Sequence, residues 1–215
     1  MPVSVAYRPA LINLTGVPLG QSAQWCCDGH LAKVTEAMGA KEQGAQHTSG
    51  RWIVSVRTLS FVRNGDDILL MKRAAHKRIF PNQYNGVGGH IERDEDPLTS
   101  AVREIAEETG LAVRDVRLRA IHNIDTGHET GILLFVFTAW SDSRETVDGE
   151  EGTLHWIPRL AVADLPVVED LPLILPRILN MGPDDPPWFA HIRYDEADQI
   201  VIRYANTGSD RIERD

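Results

Sequence analysis

The chain has 215 residues, 42% of them hydrophobic, and a formal net charge of −9. That length suits one domain with extensions, or one domain plus a small appendage, and the acidic balance argues against a general nucleic-acid binder, which normally presents a basic face. It contains no run of eighteen apolar residues, so no spanning helix is expected.

Residues 1–25 lack the basic start and apolar centre of a secretory leader. The two cysteines, Cys26 and Cys27, are adjacent, which suits neither a disulfide framework nor a zinc site. A cytoplasmic protein is the expectation. Residues 1–50 read as an N-terminal extension, either mobile or packed as a small appendage. Leu31 to Met38 suits one short helix, and the Gly39–Gly50 stretch GAKEQGAQHTSG has a linker composition. A domain is expected over 51–205, followed by a tail over 206–215.

Within that domain Ile53 to Val62 alternates as a strand. Asn64-Gly65-Asp66-Asp67 turns the chain, and Ile68 to Lys72 returns as a second strand. Between Leu69 and Ile91 lie Lys72, Arg73, Lys77 and Arg78 and no acidic residue. A small anionic ligand fits such a local excess better than a polymer does. The basic loop leads into Asn85-Gly86-Val87-Gly88-Gly89, where glycine lets backbone approach a ligand closely.

A helix follows. Asp96 suits its N-cap, Pro97 its first position and Gly110 its stop. At about 100° per residue, Leu98, Ala101, Val102, Ile105 and Thr109 share a face expected to pack on the core. Glu104, Glu107 and Glu108 share the neighbouring arc. Carboxylates at such spacings repel by a few tenths of a kcal/mol per pair. A hard divalent cation would explain their company, and a solvated acidic face is the alternative.

Val113 to Asp125 and Ile132 to Trp140 are expected strands, rich in β-branched and aromatic residues. The acidic loop after them contains Glu150 and Glu151 and leads to a short strand, Thr153 to Ile157. Short helices are expected over Pro158–Leu165 and Asp170–Leu179. Phe189 to Tyr194 and Gln199 to Tyr204 then alternate as a hairpin turned at Asp195–Asp198. The class is α/β, a mixed sheet flanked by helices.

Gly89, five residues, Glu95, seven residues, then Arg103-Glu104-Ile105-Ala106-Glu107-Glu108-Thr109-Gly110-Leu111 matches the Nudix box throughout. The chain resembles a Nudix hydrolase. That resemblance implies the Nudix fold, a mixed β-sheet sandwiched between helices, here with a C-terminal β-hairpin. It implies Mg²⁺, with Mn²⁺ able to substitute, held by Glu104, Glu107, Glu108 and the Gly89 carbonyl. Arg103 would orient a box glutamate and Glu95 would support it. The general base is left between Glu104 and a carboxylate on a distant loop, where Glu151 stands.

Lys72 and the Asn85–Gly89 stretch are similar to the MutT-type branch, especially its 8-oxo-dGTP diphosphatases. This implies Lys72 lining a base pocket, Asn85 bonding the purine, and Glu169-Asp170 as its acid pair. Three departures stand out: Tyr84 replaces an expected tryptophan, the Arg73–Asn85 loop is longer, and the acid pair is Glu-Asp. The implied reaction is hydrolysis of a nucleoside triphosphate, such as 8-oxo-dGTP, to monophosphate and pyrophosphate. Rivals are a Nudix enzyme for ADP-ribose or another nucleoside diphosphate derivative, and a silent nucleotide sensor. The partner is a nucleotide, with no nucleic-acid polymer and no membrane; the pattern sets no oligomeric state.

Overall fold

The computed structural model describes residues 23–25, 31–33 and 50–205. In the first unit, β1 (Ala23–Trp25) and β2 (Leu31–Lys33) pair antiparallel, Trp25 opposite Leu31. The helix expected to open at Leu31 is therefore a strand at its start. A single helical turn is costly to nucleate, whereas this segment finds a ready backbone partner. The rest of that expected helix, the linker up to residue 49, both cysteines and the tail over 206–215 lie outside the described residues.

The second unit is built on β3 (Ile53–Asn64), β4 (Asp67–Arg73), β5 (Tyr84–Asn85), β6 (Arg114–Ile124), β7 (Thr130–Trp140), β8 (Gly152–Pro158), β9 (Trp188–Tyr194) and β10 (Ile200–Tyr204). Their order is β10-β9-β6-β7-β3-β4-β5, with β8 also paired to β4. β3 runs parallel to β7, and β6 parallel to β9; the other pairs are antiparallel. The sheet is mixed, and β9 and β10 are its C-terminal hairpin.

Alternation divides the core between two faces. Phe61 and Leu70 join the cluster that packs on α2 (Leu171–Leu179), through Leu171, Ile174, Leu175 and Ile178. Their neighbours Val62 and Leu69 join the other cluster, which holds Ile105 of α1 (Pro97–Thr109). The expected helix over Pro158–Leu165 is a 3-10 segment, Arg159–Asp164. α2 is short and carries Pro176 inside it, a residue without the N–H a helix interior needs.

α1 begins and ends as its sequence demands. Asp96 accepts hydrogen bonds from the Leu98 and Thr99 N–H groups at 2.8 and 3.0 Å, and Gly110 closes the helix with φ of 74°. Its buried stripe is narrower than the periodicity predicts. Ala101, Ile105 and Thr109 are buried together with Ser100, whereas Leu98 and Val102 are 48% and 40% exposed. A single row of small and medium side chains meets the sheet, and the glutamate row beside it faces the glycine-rich loop.

His122 is fully buried on the α2 face and stacks on Trp188 at 4.8 Å, with neither ring nitrogen partnered by protein. Burial pushes its pKa down to about 4. The folded state therefore holds it neutral, while the unfolded chain takes a proton below about pH 6.5. Its contribution is complete above that pH and is lost as the pH falls towards the folded value. Stability in urea is expected to drop by about 1.5 kcal/mol between pH 6.5 and 5 from this residue alone. The slope should flatten in His122→Leu, and an unchanged slope would remove His122 as its source.

Candidate active site

The glycine-rich loop lies flat against β3. Thr58 N–H donates to the Gly89 carbonyl at 2.9 Å, and Ser60 and Val87 exchange N–H···O bonds at 2.7 and 3.1 Å. The approach is so close that a Cβ on Gly88, whose φ is +151°, would sit 2.3 Å from the Thr58 carbonyl oxygen. One on Gly89 would sit 2.5 Å from Glu104 Oε1. These residues are glycine because β3 and the α1 carboxylates leave no room for a side chain.

Arg103 binds the loop to the helix. Its NH2 and Nε groups donate to Glu95 at 2.6 and 3.0 Å, NH1 donates to Glu104 and Glu107 at 3.0 and 2.9 Å, and NH2 reaches the His90 carbonyl at 3.2 Å. The guanidinium holds the Glu95 carboxyl down at about 2, while Glu95 chiefly raises Arg103 above its ordinary value. Glu104 is 14% exposed at its side chain and Glu107 61%.

Glu108 behaves differently. It accepts the Gly88 N–H at 2.9 Å, yet its pKa is pushed up to about 7. Burial is the main cause, and the charges of Glu104 and Glu151 add to it; Gly88 and Arg73 act in the opposite sense. Glu151 thus belongs to the same electrostatic site although it precedes β8. Lys77 Nζ donates to it at 2.5 Å, and Arg73 NH2 lies 3.9 Å from its other oxygen.

The donor set fits a hard divalent cation. Oxygen ligands are of the right kind, burial disfavours the charged form of Glu108, a penalty a bound cation would relieve, and the Gly89 carbonyl keeps a second lone pair after bonding Thr58. Among the described residues no three His, Cys, Asp or Glu side chains converge as a metal cluster. Arg103 draws Glu104 and Glu107 to itself while Glu108 is held by Gly88, which separates the three carboxylates.

The four residues expected around a base are joined through backbone. Lys72 stands opposite Tyr84, with Nζ 5.9 Å from its ring centroid, and Asn85 stands opposite Met71. Tyr84 N–H donates to the Pro166 carbonyl and its own carbonyl accepts from Val168, which brings Glu169 and Asp170 to this strand. Asn85 Oδ1 accepts the Gly86 N–H, and among the described residues no hydrogen bond joins Asn85 to either acid. Burial and the Glu169 charge raise the Asp170 carboxyl. Tyr194 is raised by burial and by the same two acids.

Sequence reasoning missed four participants: Lys77 and Arg73 on Glu151, His155 packed edge-on to Tyr84 at 5.6 Å, and Tyr194 beside Glu169. Only the charge of the loop hinted at the first two. A groove of about 280 Å³ lies between the 3-10 segment and α2, lined by Val162, Val167, Leu171 and Leu175 among others. None of the sequence-predicted site residues lines it.

A NUDIX domain match covers residues 54–178, more than half of the chain. The chain belongs to the NUDIX family. Its domain is that of the Nudix hydrolases, a family that generally works with a divalent metal ion. The fold is similar to that of a MutT protein from Bacillus halodurans, with TM-score 0.60 and 24% identity over 70% of this chain and 97% of that one. A MutT protein from Methanosarcina mazei Go1 gives TM-score 0.50 and 17% identity over 60% and 94%. A 44-residue stretch is 50% identical to the m7GpppN-mRNA hydrolase NUDT17 of Danio rerio, spanning 20% of this chain and 15% of that protein. Among the described residues no helix is long and apolar enough to cross a membrane.

The two glycines separate fold from site. Gly89→Ala first meets the movable end of Glu104, so it is expected to leave Tm within about 5 °C while lowering turnover at least about tenfold. Gly88→Ala meets backbone and is expected to lose about 2 kcal/mol or more of stability. Thermal melts with parallel turnover assays check both; equal loss of stability in the two variants would contradict the packing described.

Proposed function

We propose that the protein hydrolyses a nucleoside triphosphate, an oxidised purine such as 8-oxo-dGTP, to monophosphate and pyrophosphate with Mg²⁺. The carrying observation is the Arg103-bound carboxylate row of α1 facing the Gly88–Gly89 backbone. Glu104, Glu107, Glu108 and the Gly89 carbonyl would hold Mg²⁺, which when bound neutralises polyphosphate charge and acidifies water. Arg103 fixes the directions of Glu104 and Glu107. Glu151 accepts the proton of the attacking water at its carboxylate, since Glu104 is committed to Arg103 and pressed against Gly89.

The base reading rests on Lys72, Tyr84, Asn85 and the Glu169-Asp170 pair. Burial raises the Asp170 carboxyl, which shifts it towards the protonated form that donates to an acceptor edge. An amide such as that of Asn85 offers both donor and acceptor to a purine. Residues 51–205 are proposed as the complete catalytic domain. The short NUDT17 match favours a second reading, hydrolysis at the capped end of an RNA.

A panel of 8-oxo-dGTP, dGTP, ADP-ribose and a cap dinucleotide, with Mg²⁺ and products separated by chromatography, distinguishes these. The expected result is preference for 8-oxo-dGTP, with pyrophosphate released. Asn85→Ala should reduce that preference by about tenfold, the worth of one well-placed hydrogen bond. Glu108→Gln should lower turnover about 100-fold or more at saturating Mg²⁺. Preference for the cap dinucleotide would transfer the function to the second reading, and unchanged turnover in Glu108→Gln would remove that residue from the metal set.

A further inference from the structure

The loop between β4 and β5 is a folded object. Arg73 N–H donates to the Gln83 carbonyl and Asn82 N–H to the Arg73 carbonyl, both at 3.0 Å, which closes the loop at its neck. Arg73 Nε donates to the Ile79 carbonyl at 2.9 Å, and Phe80 and Asn82 take left-handed φ of 51° and 62°. Lys77 N–H bonds the Ala74 carbonyl, so the lysine leaves a fixed turn.

The segment it meets is equally fixed. Ala74 N–H donates to the Glu151 carbonyl at 2.9 Å, and a Cβ on Gly152 would come within 2.1 Å of the Lys72 carbonyl oxygen. Backbone contacts therefore bring the two segments together, and Lys77 Nζ meets Glu151 Oε1 across them. Glu151 is the only carboxylate partner of Lys77 among the described residues, and its side chain is 44% exposed. Arg73 stays 3.9 Å from the other oxygen. A carboxylate with two cations, one in full contact and one in reserve, can release the first without being left alone.

We propose that Lys77 is a positioning residue shared in turn by Glu151 and the polyphosphate end of the substrate. Before binding, its ammonium neutralises Glu151 beside the acidic row of α1. An arriving polyphosphate oxygen takes the ammonium, and Glu151, now paired only with Arg73, turns to accept a proton. The exchange moves a charge partner and breaks no covalent bond. It deepens the hydrolase reading above and rests on it for the role of Glu151.

The decisive measurement is binding of inorganic tripolyphosphate to the full chain by calorimetry, without metal and without turnover. Lys77→Met is expected to weaken binding about tenfold, with Lys77→Arg restoring most of it. Glu151→Gln should tighten binding several-fold, because the competitor for the ammonium is gone. In the Lys77→Met background the same Glu151→Gln change should have no effect. Equal gains in both backgrounds would reduce Glu151 to a general repulsion and overturn the exchange, as would unchanged binding in Lys77→Met. In turnover assays Lys77→Met should raise KM about tenfold with a smaller loss in kcat. A wild-type protein that cleaves no nucleotide would retire the hydrolytic reading, while the calorimetric cycle would still decide the sharing of Lys77.

Discussion

The site depends on one guanidinium. Three glutamates on one arc of a helix repel one another, and a loop of glycines has no side chains of its own to fasten it. Arg103 answers both problems because its donors lie in a planar fork. One edge grips Glu95 in the loop, the opposite nitrogen reaches Glu104 and Glu107, and the His90 carbonyl and Ser100 Oγ accept as well. Glu95 in turn accepts the Glu92 N–H at 2.8 Å, so the anchor is itself anchored. Lysine could not replace this arrangement, since a point charge has no fork.

The other wall of the site is β3. Its edge bonds hold Val87 and Gly89 as though they were a further strand, with single bridges at Ser60–Val87 and Arg57–His90. The loop is thus caught between a strand and a helix whose faces are fixed by separate cores. Val62 and Leu69 pack with Ile105, while Phe61 and Leu70 pack with α2. Small movements of the helix would reach the loop through the Gly88–Glu108 bond, which joins backbone to carboxylate directly.

Much of this was legible in the sequence because the signals were local. Asp96, Pro97 and Gly110 mark helix ends by backbone chemistry that needs no neighbour, and both ends fall where they indicate. Strand alternation likewise marked β3 and the C-terminal hairpin β9–β10. The failures came where distant contacts decide. Leu98 and Val102 lie on the apolar arc but find nothing to cover them. Three residues at Leu31 chose a strand because a partner lies at Ala23–Trp25. Lys77 and Glu151 are separated by 74 positions, and no periodicity joins them.

β4 connects the two halves of the site by the simplest property of a strand. Lys72 and Arg73 are consecutive, so their side chains leave opposite faces. Lys72 goes towards the ring of Tyr84 and the α2 side; Arg73 goes towards Glu151 and Glu108. β5 and β8 flank the same strand, bringing Tyr84 opposite Lys72 and Gly152 opposite Arg73. A chain of net charge −9 thereby sets two cations at adjacent positions for different tasks. Neither task depends on the overall charge, because at ionic strengths near 0.1 M charges interact over about 10 Å and the local field is the one a ligand meets.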